Sequence, residues 1–336
     1  MDDAIERHRT IVWDRPLPPD PTLSGLDGLR AMAAGTRPRP AAGALIGLRI
    51  VAVEHGRVSM AMRPAEYHYN PIGTVHGGVI ATLLDTVLAC AVLSTLPAGR
   101  GCMTLEIKVN YLRALTEAAG EVTGEGVCVH AGRQVGVAEG RIVDANGRLY
   151  ATASTTMIVF DLPPPRPLAD DDAPRERTVE WADPTASAAA GRTMAGIDYL
   201  RAMLAGSLPR APISALLGFQ MHDVAAGRVA MTLMPGEHMT NPGGSMHGGM
   251  MATLLDSVMG CAVHSMVPLG RGYTTLEIKV NYLRAVTRAS GLITAVGTVV
   301  HAGRQMAVAE GRATDAAGHL VATASTTCLV FDVPAR

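Results

Sequence analysis

Hydrophobic and polar residues alternate with two different periods along the chain, and these periods predict an order of strands and helices. The segment 45–63 alternates apolar and polar positions on both sides of His55–Gly56, which is typical of two strands joined by a tight turn. The segment 77–96 has no proline and is apolar on all sides, which predicts a long buried helix. We also predict a short helix over 26–35 and four strands over 103–114, 120–130, 133–143 and 149–160.

The predicted order of two strands, one long helix and four strands favours an antiparallel sheet wrapped around a single helix, an α+β fold. One sheet covers only one side of such a helix. Because the segment 77–96 is apolar on its other side as well, a second apolar element must pack against it.

The chain contains this pattern twice. Residues 26–161 align with residues 197–332 without a gap, and roughly three in five of the paired residues are identical, which marks an internal duplication. We therefore expect two tandem domains whose long helices face each other, as a pseudo-dimer within one chain. The shared polar residues indicate that each copy contributes to a site, although a recent duplication with little time to diverge is the alternative.

The predicted domains are residues 1–161 and 177–336, with a proline-rich, acidic linker over 162–176. Each domain begins with an arm of similar sequence, RTIVWDRP at 9–16 and RTVEWADP at 177–184. These arms carry the only two tryptophans, Trp13 and Trp181. We expect each arm to dock its indole on its own domain; a chance match between two mobile tails is the alternative.

Composition excludes several classes of function. A net charge of −1 and only 4% aromatic residues argue against a nucleic-acid or anionic-membrane partner. The longest apolar stretch, 79–93, is too short to span a membrane, and the charged N-terminus has no signal-peptide core, so we expect a cytoplasmic protein. The five cysteines have no metal-ligand spacing, which predicts no metal site, and Cys90 and Cys261 are expected to be small core residues.

Two carboxylates interrupt the apolar helices, and they are the first candidates for chemistry. Asp85 and its repeat partner Asp256 lie where burial of a charge is costly, as is typical of a nucleophile or general base. A structural acid that caps a loop or pairs with an arginine is the alternative.

A second candidate group lies at the start of each helix. His76-Gly77-Gly78 and His247-Gly248-Gly249 provide backbone N–H groups at a helix N-terminus, where an oxyanion can bind and a substrate can approach closely. Each group follows an Asn-Pro pair that contains Asn70 or Asn241, and the alternative for each histidine is a helix cap.

Geometry indicates which acid serves which glycine pair. Gly77 and Asp85 are separated by about 12 Å along one helix, which is too far for both to act on one carbonyl. If the two helices pack antiparallel, Asp256 approaches Gly77 and Asp85 approaches Gly248. We therefore expect two composite sites.

The spacing Asn-x5-His-Gly-Gly-x6-Asp, together with the shared runs TLEIKVNYLRA and HAGRQ, resembles the hotdog-fold acyl-CoA thioesterases of the phenylacetate-pathway (PaaI-like) group. The resemblance covers nearly the whole chain as two successive hotdog domains. It implies that Asp attacks the thioester or activates water, that the first glycine binds the oxyanion, and that Asn and His position the reactants. It also implies an assisting hydroxyl, assigned to Thr104 and Thr275. No separate cofactor is expected, because CoA arrives with the substrate.

Coenzyme A carries phosphates, and duplicated arginines at strand ends or turns could bind them: Arg113, Arg284, Arg133 and Arg304. Solvent-exposed strand-end charges are the alternative. We expect two chains to associate as a homodimer with four hotdog domains, as the resemblance implies. Two rival functions stay open, a non-catalytic acyl-CoA binding or sensing protein and a hotdog enzyme that hydrates an enoyl thioester.

Overall fold

The computed structural model describes residues 7–164 and 175–333. Its first half consists of β1 (His8–Val12), α1 (Gly25–Ala33), α2 (Ala41–Ile46), β2 (Arg49–Glu54), β3 (Arg57–Met62), α3 (Gly77–Leu93), β4 (Arg100–Tyr111), β5 (Val122–Ala131), β6 (Val135–Asp144) and β7 (Leu149–Asp161). The second half consists of β8 (Glu176–Glu180), α4 (Pro184–Ala190), α5 (Gly196–Leu204), α6 (Pro212–Leu217), β9 (Gln220–Ala225), β10 (Arg228–Leu233), α7 (Gly248–His264), β11 (Arg271–Tyr282), β12 (Ile293–Ala302), β13 (Met306–Thr314) and β14 (Leu320–Asp332).

Each half folds as the expected α+β unit, an antiparallel sheet wrapped around one long helix. The strands of both halves join in one twelve-stranded sheet, in the order β2-β3-β5-β6-β7-β4-β11-β14-β13-β12-β10-β9. The two halves meet where β4 pairs with β11, with Lys108 directly opposite Lys279. The two hotdog halves therefore form the predicted intrachain pseudo-dimer.

The two long helices, α3 and α7, pack against each other inside this sheet. A Cβ atom on Gly78 would lie 2.2 Å from Thr253 Cα, and one on Gly249 would lie 2.4 Å from Thr82 Cα. The second glycine of each pair is therefore needed for helix contact. Close approach of a substrate to the glycine pair stays a prediction, and helix contact is a further reason for the second glycine.

Several element boundaries differ from the predictions. The long helix ends at Leu93 rather than residue 96, and β4 covers 100–111 rather than 103–114. Residues 45–46, expected in a strand, complete the short helix α2, whose buried face is too short to show a helical period. Among the described residues, no helix is long and apolar enough to cross a membrane.

The arms dock differently from the prediction. β1 and β8 pair as a separate two-stranded sheet. The Trp13 indole donates to Glu237 Oε1 at 2.9 Å, and the Trp181 indole donates to Glu66 Oε1 at 2.7 Å. Each indole thus binds the opposite half, because the β1–β8 pairing carries each arm across the pseudo-twofold axis.

The predicted linker at 162–176 lies largely outside the described residues, since residues 165–174 are not described. Residue 176 already begins β8. The domain boundaries at 161 and 177 therefore stay predictions.

Candidate active sites

The loop before each long helix is organised by its asparagine. Asn70 Oδ1 accepts the N–H groups of Ile72 and Thr74, and its Nδ2 donates to Thr74 Oγ1 at 2.8 Å. Asn241 makes the equivalent contacts with Ser245. Both polar ends of each amide thus hold their own loop in shape, and Asn70 also lines the cavity at the first site.

The histidine that follows each loop caps the helix. His76 Nδ1 accepts the Gly78 N–H at 3.0 Å, and His247 Nδ1 accepts the Gly249 N–H at 3.1 Å. Both histidines are therefore helix caps, as the alternative interpretation proposed. Both rings are also in contact with an acid from the other half.

The two aspartates cross between the halves. Asp256 Oδ2 lies 3.3 Å from His76 Nδ1, and Asp85 Oδ2 lies 3.4 Å from His247 Nδ1. A Cβ atom on Gly77 would lie 2.7 Å from Asp256 Oδ2, and the same distance relates Gly248 to Asp85. Each acid is thus at the start of the opposing helix. The first glycine of each pair is required because a larger residue would collide with the carboxylate.

Hydroxyl groups fix the orientation of the acids and imidazoles. Thr104 Oγ1 donates to Asp85 Oδ1 at 2.8 Å. Thr275, its repeat partner, lies near Asp256 and lowers the pKa of that carboxyl. The structure thus puts each threonine beside the acid of its own half.

The other ring nitrogen of each histidine meets a hydroxyl that sequence reasoning missed. His76 Nε2 is 3.0 Å from Ser257 Oγ, and His247 Nε2 is 3.1 Å from Thr86 Oγ1. Ser257 donates its own proton to the Thr253 carbonyl. His76 Nε2 must then carry the hydrogen, and its Nδ1 lone pair is left for the Gly78 N–H. A hydroxyl residue directly after each aspartate was the available sequence signal.

Burial sets the electrostatics of the site. Asp85 is 4% exposed and Asp256 is 6% exposed. Burial raises the pKa of Asp256 above its ordinary value, although His76, the Gly78 N–H and Thr275 oppose this rise. Burial also lowers the pKa of His76 and of His247, against the influence of the facing aspartate. Both imidazoles are therefore neutral near pH 7, and neither forms a full ion pair with its aspartate.

Two tyrosines that sequence reasoning also missed close the sites. Tyr111 donates its hydroxyl to the Gly77 carbonyl at 2.9 Å, and Tyr282 donates to the Gly248 carbonyl at the same distance. Both lie in the shared TLEIKVNYLRA run, so their repetition was the available signal. Each tyrosine holds the first turn of the long helix in position.

A cavity of about 960 Å³ opens at the first site and is lined by His76, Gly77, Asp256 and Thr275. Of the four predicted phosphate-binding arginines, Arg113 is among its lining residues. Arg133 and Arg304 lie in exposed β5–β6 and β12–β13 turns, and Arg284 is an exposed residue after β11.

The cysteines are all free thiols. Cys90 and Cys261 are half-buried and pack against the core, as expected. Cys261 also lines the cavity, which the sequence did not predict. Among the described residues, no group of three His, Cys, Asp or Glu side chains could hold a metal ion.

Comparison with known proteins shows which family the chain resembles. The family model described as the thioesterase superfamily matches twice, at residues 72–151 and 243–322. A Vibrio cholerae protein that is named as an esterase is 31% identical over 107 residues, which cover 32% of this chain and 70% of that protein. The 1,4-dihydroxy-2-naphthoyl-CoA hydrolase of Listeria monocytogenes is 29% identical over 34% of this chain and 91% of its own length.

A solved structure supports the fold over most of the molecule. The tesB protein of Mycobacterium avium subsp. paratuberculosis superimposes with a TM-score of 0.53 at 14% identity, over 87% of this chain and 99% of that one. The molecule is thus a tandem hotdog protein. By its sequence matches the chain belongs to the thioesterase superfamily, and it is a thioester hydrolase.

Proposed function

We propose that the protein is an acyl-CoA thioesterase with two composite active sites, one at Asp256 and His76 and the other at Asp85 and His247. The observation that carries this proposal is the buried carboxylate of one half, held against the glycine-lined start of the long helix of the other half. The Listeria relative, named 1,4-dihydroxy-2-naphthoyl-CoA hydrolase, and a human relative, named acyl-coenzyme A thioesterase 13, support CoA as the thiol of the substrate.

In the first site, the thioester carbonyl oxygen is assigned to the N-terminus of α3. The His76 side chain and carbonyl already engage the N–H groups of Gly78 and Val79. This leaves the Gly77 N–H, together with the helix dipole, to stabilise the oxyanion. The same assignment in the second site falls on Gly248.

The reacting carbon then faces the carboxylate from the other half. Asp256 either attacks the carbon directly, expelling the CoA thiolate and leaving an anhydride for water to cleave, or takes a proton from the attacking water. In both routes one water is consumed, and the acid and the free thiol are released. The rise in the pKa of Asp256 on burial increases its basicity for the second route.

The remaining predicted groups support these steps. Thr104 and Thr275 orient the carboxylates, His76 and His247 hold the glycine loops, and Asn70 and Asn241 shape the loops. Arg113, at the edge of the first cavity, is assigned to a CoA phosphate, and Arg284 takes that role in the second site. Arg133 and Arg304 are further candidates for phosphate contact.

The test is thiol release from a panel of acyl-CoA thioesters by four proteins: wild type, Asp85→Asn, Asp256→Asn and the double variant. For a substrate that both sites accept, each single variant should retain about half of the turnover, and the double variant should have none. Asp14→Asn, at an exposed position, is the matched control and should retain full turnover. Thiol release by the double variant at the wild-type rate would contradict the proposal. Thermal stabilisation by acyl-CoA without any thiol release would favour a binding protein.

A further inference from the structure

The cavity at Asp256 continues along α7 beyond the reacting groups. Asp256, Gly260 and His264 all line it, and their spacing of four residues puts them on one face of the helix. His264 is about 12 Å from Asp256 along the helix axis, and Gly260 is about halfway. An acyl group bound at Asp256 would therefore extend past Gly260 towards His264.

Three aromatic side chains close the far end of this cavity. The His264 ring centroid is 5.2 Å from that of Tyr199 and 5.3 Å from that of Tyr273. A Cβ atom on Gly260 would lie 3.0 Å from the Tyr273 hydroxyl, so this hydroxyl lies over the middle of the acyl path. The absence of a side chain at Gly260 leaves room for it.

The end of the cavity is polar as well as aromatic. Burial lowers the pKa of His264 to about 4, so its imidazole is neutral and can either donate or accept a hydrogen bond. Burial raises the pKa of Tyr199 to about 12, against a smaller lowering by the Ser187 hydroxyl. Ser187 itself donates to the Pro209 carbonyl, and the Tyr199 hydroxyl has no hydrogen bond of normal geometry with any described residue. The neutral His264 imidazole, which lines the cavity, favours a ligand that brings its own polar atom.

The corresponding positions of the other half are different. The repeat aligns Tyr199 with Gly28, His264 with Leu93, and Tyr273 with Cys102. Cys102 reaches only the Ala89 carbonyl, with its Sγ at 3.8 Å, and the space around Gly28 holds no atom within 4 Å of a Cβ position. The positions that hold three rings near Asp256 are therefore occupied by small or aliphatic groups in the half that carries Asp85.

From this difference we infer that the two sites take different classes of acyl group. The Asp256 site takes acyl groups that carry a hydroxyl or another hydrogen-bonding group towards their far end, and the Asp85 site takes unsubstituted apolar acyl groups. Tyr273 and His264 are the specificity-determining residues of the first site, and Cys102 and Leu93 hold those positions in the second. This inference rests on the proposed function, because it requires that both aspartates support hydrolysis.

The test uses each single-aspartate variant as a one-site enzyme. Asp85→Asn retains only the Asp256 site, and Asp256→Asn retains only the Asp85 site. The matched substrates are 3-phenylpropanoyl-CoA and its 4-hydroxyphenyl derivative, with octanoyl-CoA as an aliphatic reference. We expect the Asp256 site to prefer the hydroxylated substrate about two- to tenfold in kcat/KM, mainly through KM, as one buried hydrogen bond would give. The Asp85 site should prefer the other two.

Further variants locate the preference in the named residues. In the Asp85→Asn background, Tyr273→Phe should reduce the preference for the hydroxylated substrate, and the pair His264→Leu with Tyr273→Cys should reverse it. In the Asp256→Asn background, Leu93→His with Cys102→Tyr should create it once Ala89, the repeat partner of Gly260, is also changed to Gly to leave room for the ring. Tyr150→Phe, which removes a distant buried hydroxyl bonded to Asp144, is the control and should leave both ratios unchanged.

Equal substrate ratios in the two one-site enzymes would overturn the inference, and so would a ratio unaffected by Tyr273→Phe. The single conservative change keeps the test decisive if a double exchange fails to fold. Failure of the proposed function would be distinct, since either the variant lacking both aspartates would hydrolyse the substrates or the wild type would hydrolyse none of them.

Discussion

At the scale of single residues, the most unusual feature is a carboxylate in an apolar helix without a cation to neutralise it. The groups around Asp256 are a capping imidazole that burial keeps neutral, a helix N-terminus and the Thr275 hydroxyl. Together they only partly replace the water that this carboxylate loses on folding. A group in this state is more basic than in water, and it reduces the stability of the fold at neutral pH.

The cost of burying the Asp256 carboxylate predicts that a neutral residue at this position makes the protein more stable. The ordinary pKa of 3.8 is raised in the folded state, so folding is penalised once the unfolded chain loses that proton. Asp256→Asn should therefore raise the free energy of unfolding by about 0.5–2 kcal/mol at pH 8. The difference should shrink as pH falls towards the ordinary pKa of 3.8, because the unfolded chain then also begins to bind the proton.

Urea unfolding at pH 8, 6 and 4 measures this difference, and Asp14→Asn serves as the exposed control. A loss of stability for Asp256→Asn at pH 8 would mean that the carboxylate is held by stronger contacts than those described above.

At the scale of secondary-structure elements, the close contact of α3 with α7 determines both sites, since it brings each acid to the opposite glycine loop. The contact is possible because Gly78 and Gly249 have no side chains facing the other helix backbone. The register of β4 with β11 fixes the same relation from the sheet side.

The helix contact predicts a large cost for a single methyl group. In Gly78→Ala, the new Cβ would lie 2.2 Å from the backbone of Thr253, so the helices must separate. We expect a loss of about 1–3 kcal/mol in the free energy of unfolding, and reduced turnover at both sites. Gly43→Ala is the control because its Cβ would meet only Leu48, at 3.9 Å, and alanine favours helix. Denaturant midpoints of the two variants provide the measurement. Equal stability of both variants would show that α7 can shift to make room.

The elements also show what the sequence could and could not predict. The long helix was predictable because its apolar residues cover all sides, and the same property required a second helix beside it. The docking of Trp13 on the second half was not predictable, because the local sequence of an arm does not show which half the arm contacts. Tyr199, His264 and Tyr273 are separated along the chain and come together only through packing, so no motif marks them.

At the scale of the whole molecule, the outer face of the sheet carries apolar side chains. Thr104 points inward to Asp85, so Met103 before it lies on the outer face. Leu105 lies at a β-bulge and is exposed as well. Met103 pairs with Ile158, and Ile158 pairs with Val135, which forms an apolar patch across three strands. These four side chains are each between 38% and 42% exposed.

The patch is where we expect the second chain of the predicted homodimer to bind. Light scattering at micromolar concentration should give about twice the chain mass of 35.1 kDa. Leu105→Lys should shift the particle towards a single chain, because a charge would be buried in the interface. Asp14→Asn should leave the mass unchanged. A mass of one chain for the wild type would contradict the expected assembly.

The covalent fusion of the two halves has an evolutionary consequence. When identical subunits associate, symmetry forces every inherited substitution to appear in both pockets at once. In this chain the ancestral copies are separate stretches of one gene, so a change at Tyr273 alters one pocket and leaves the other as it was. Selection can then change the substrate preference of one reaction centre while the other keeps the ancestral preference, although both belong to one polypeptide.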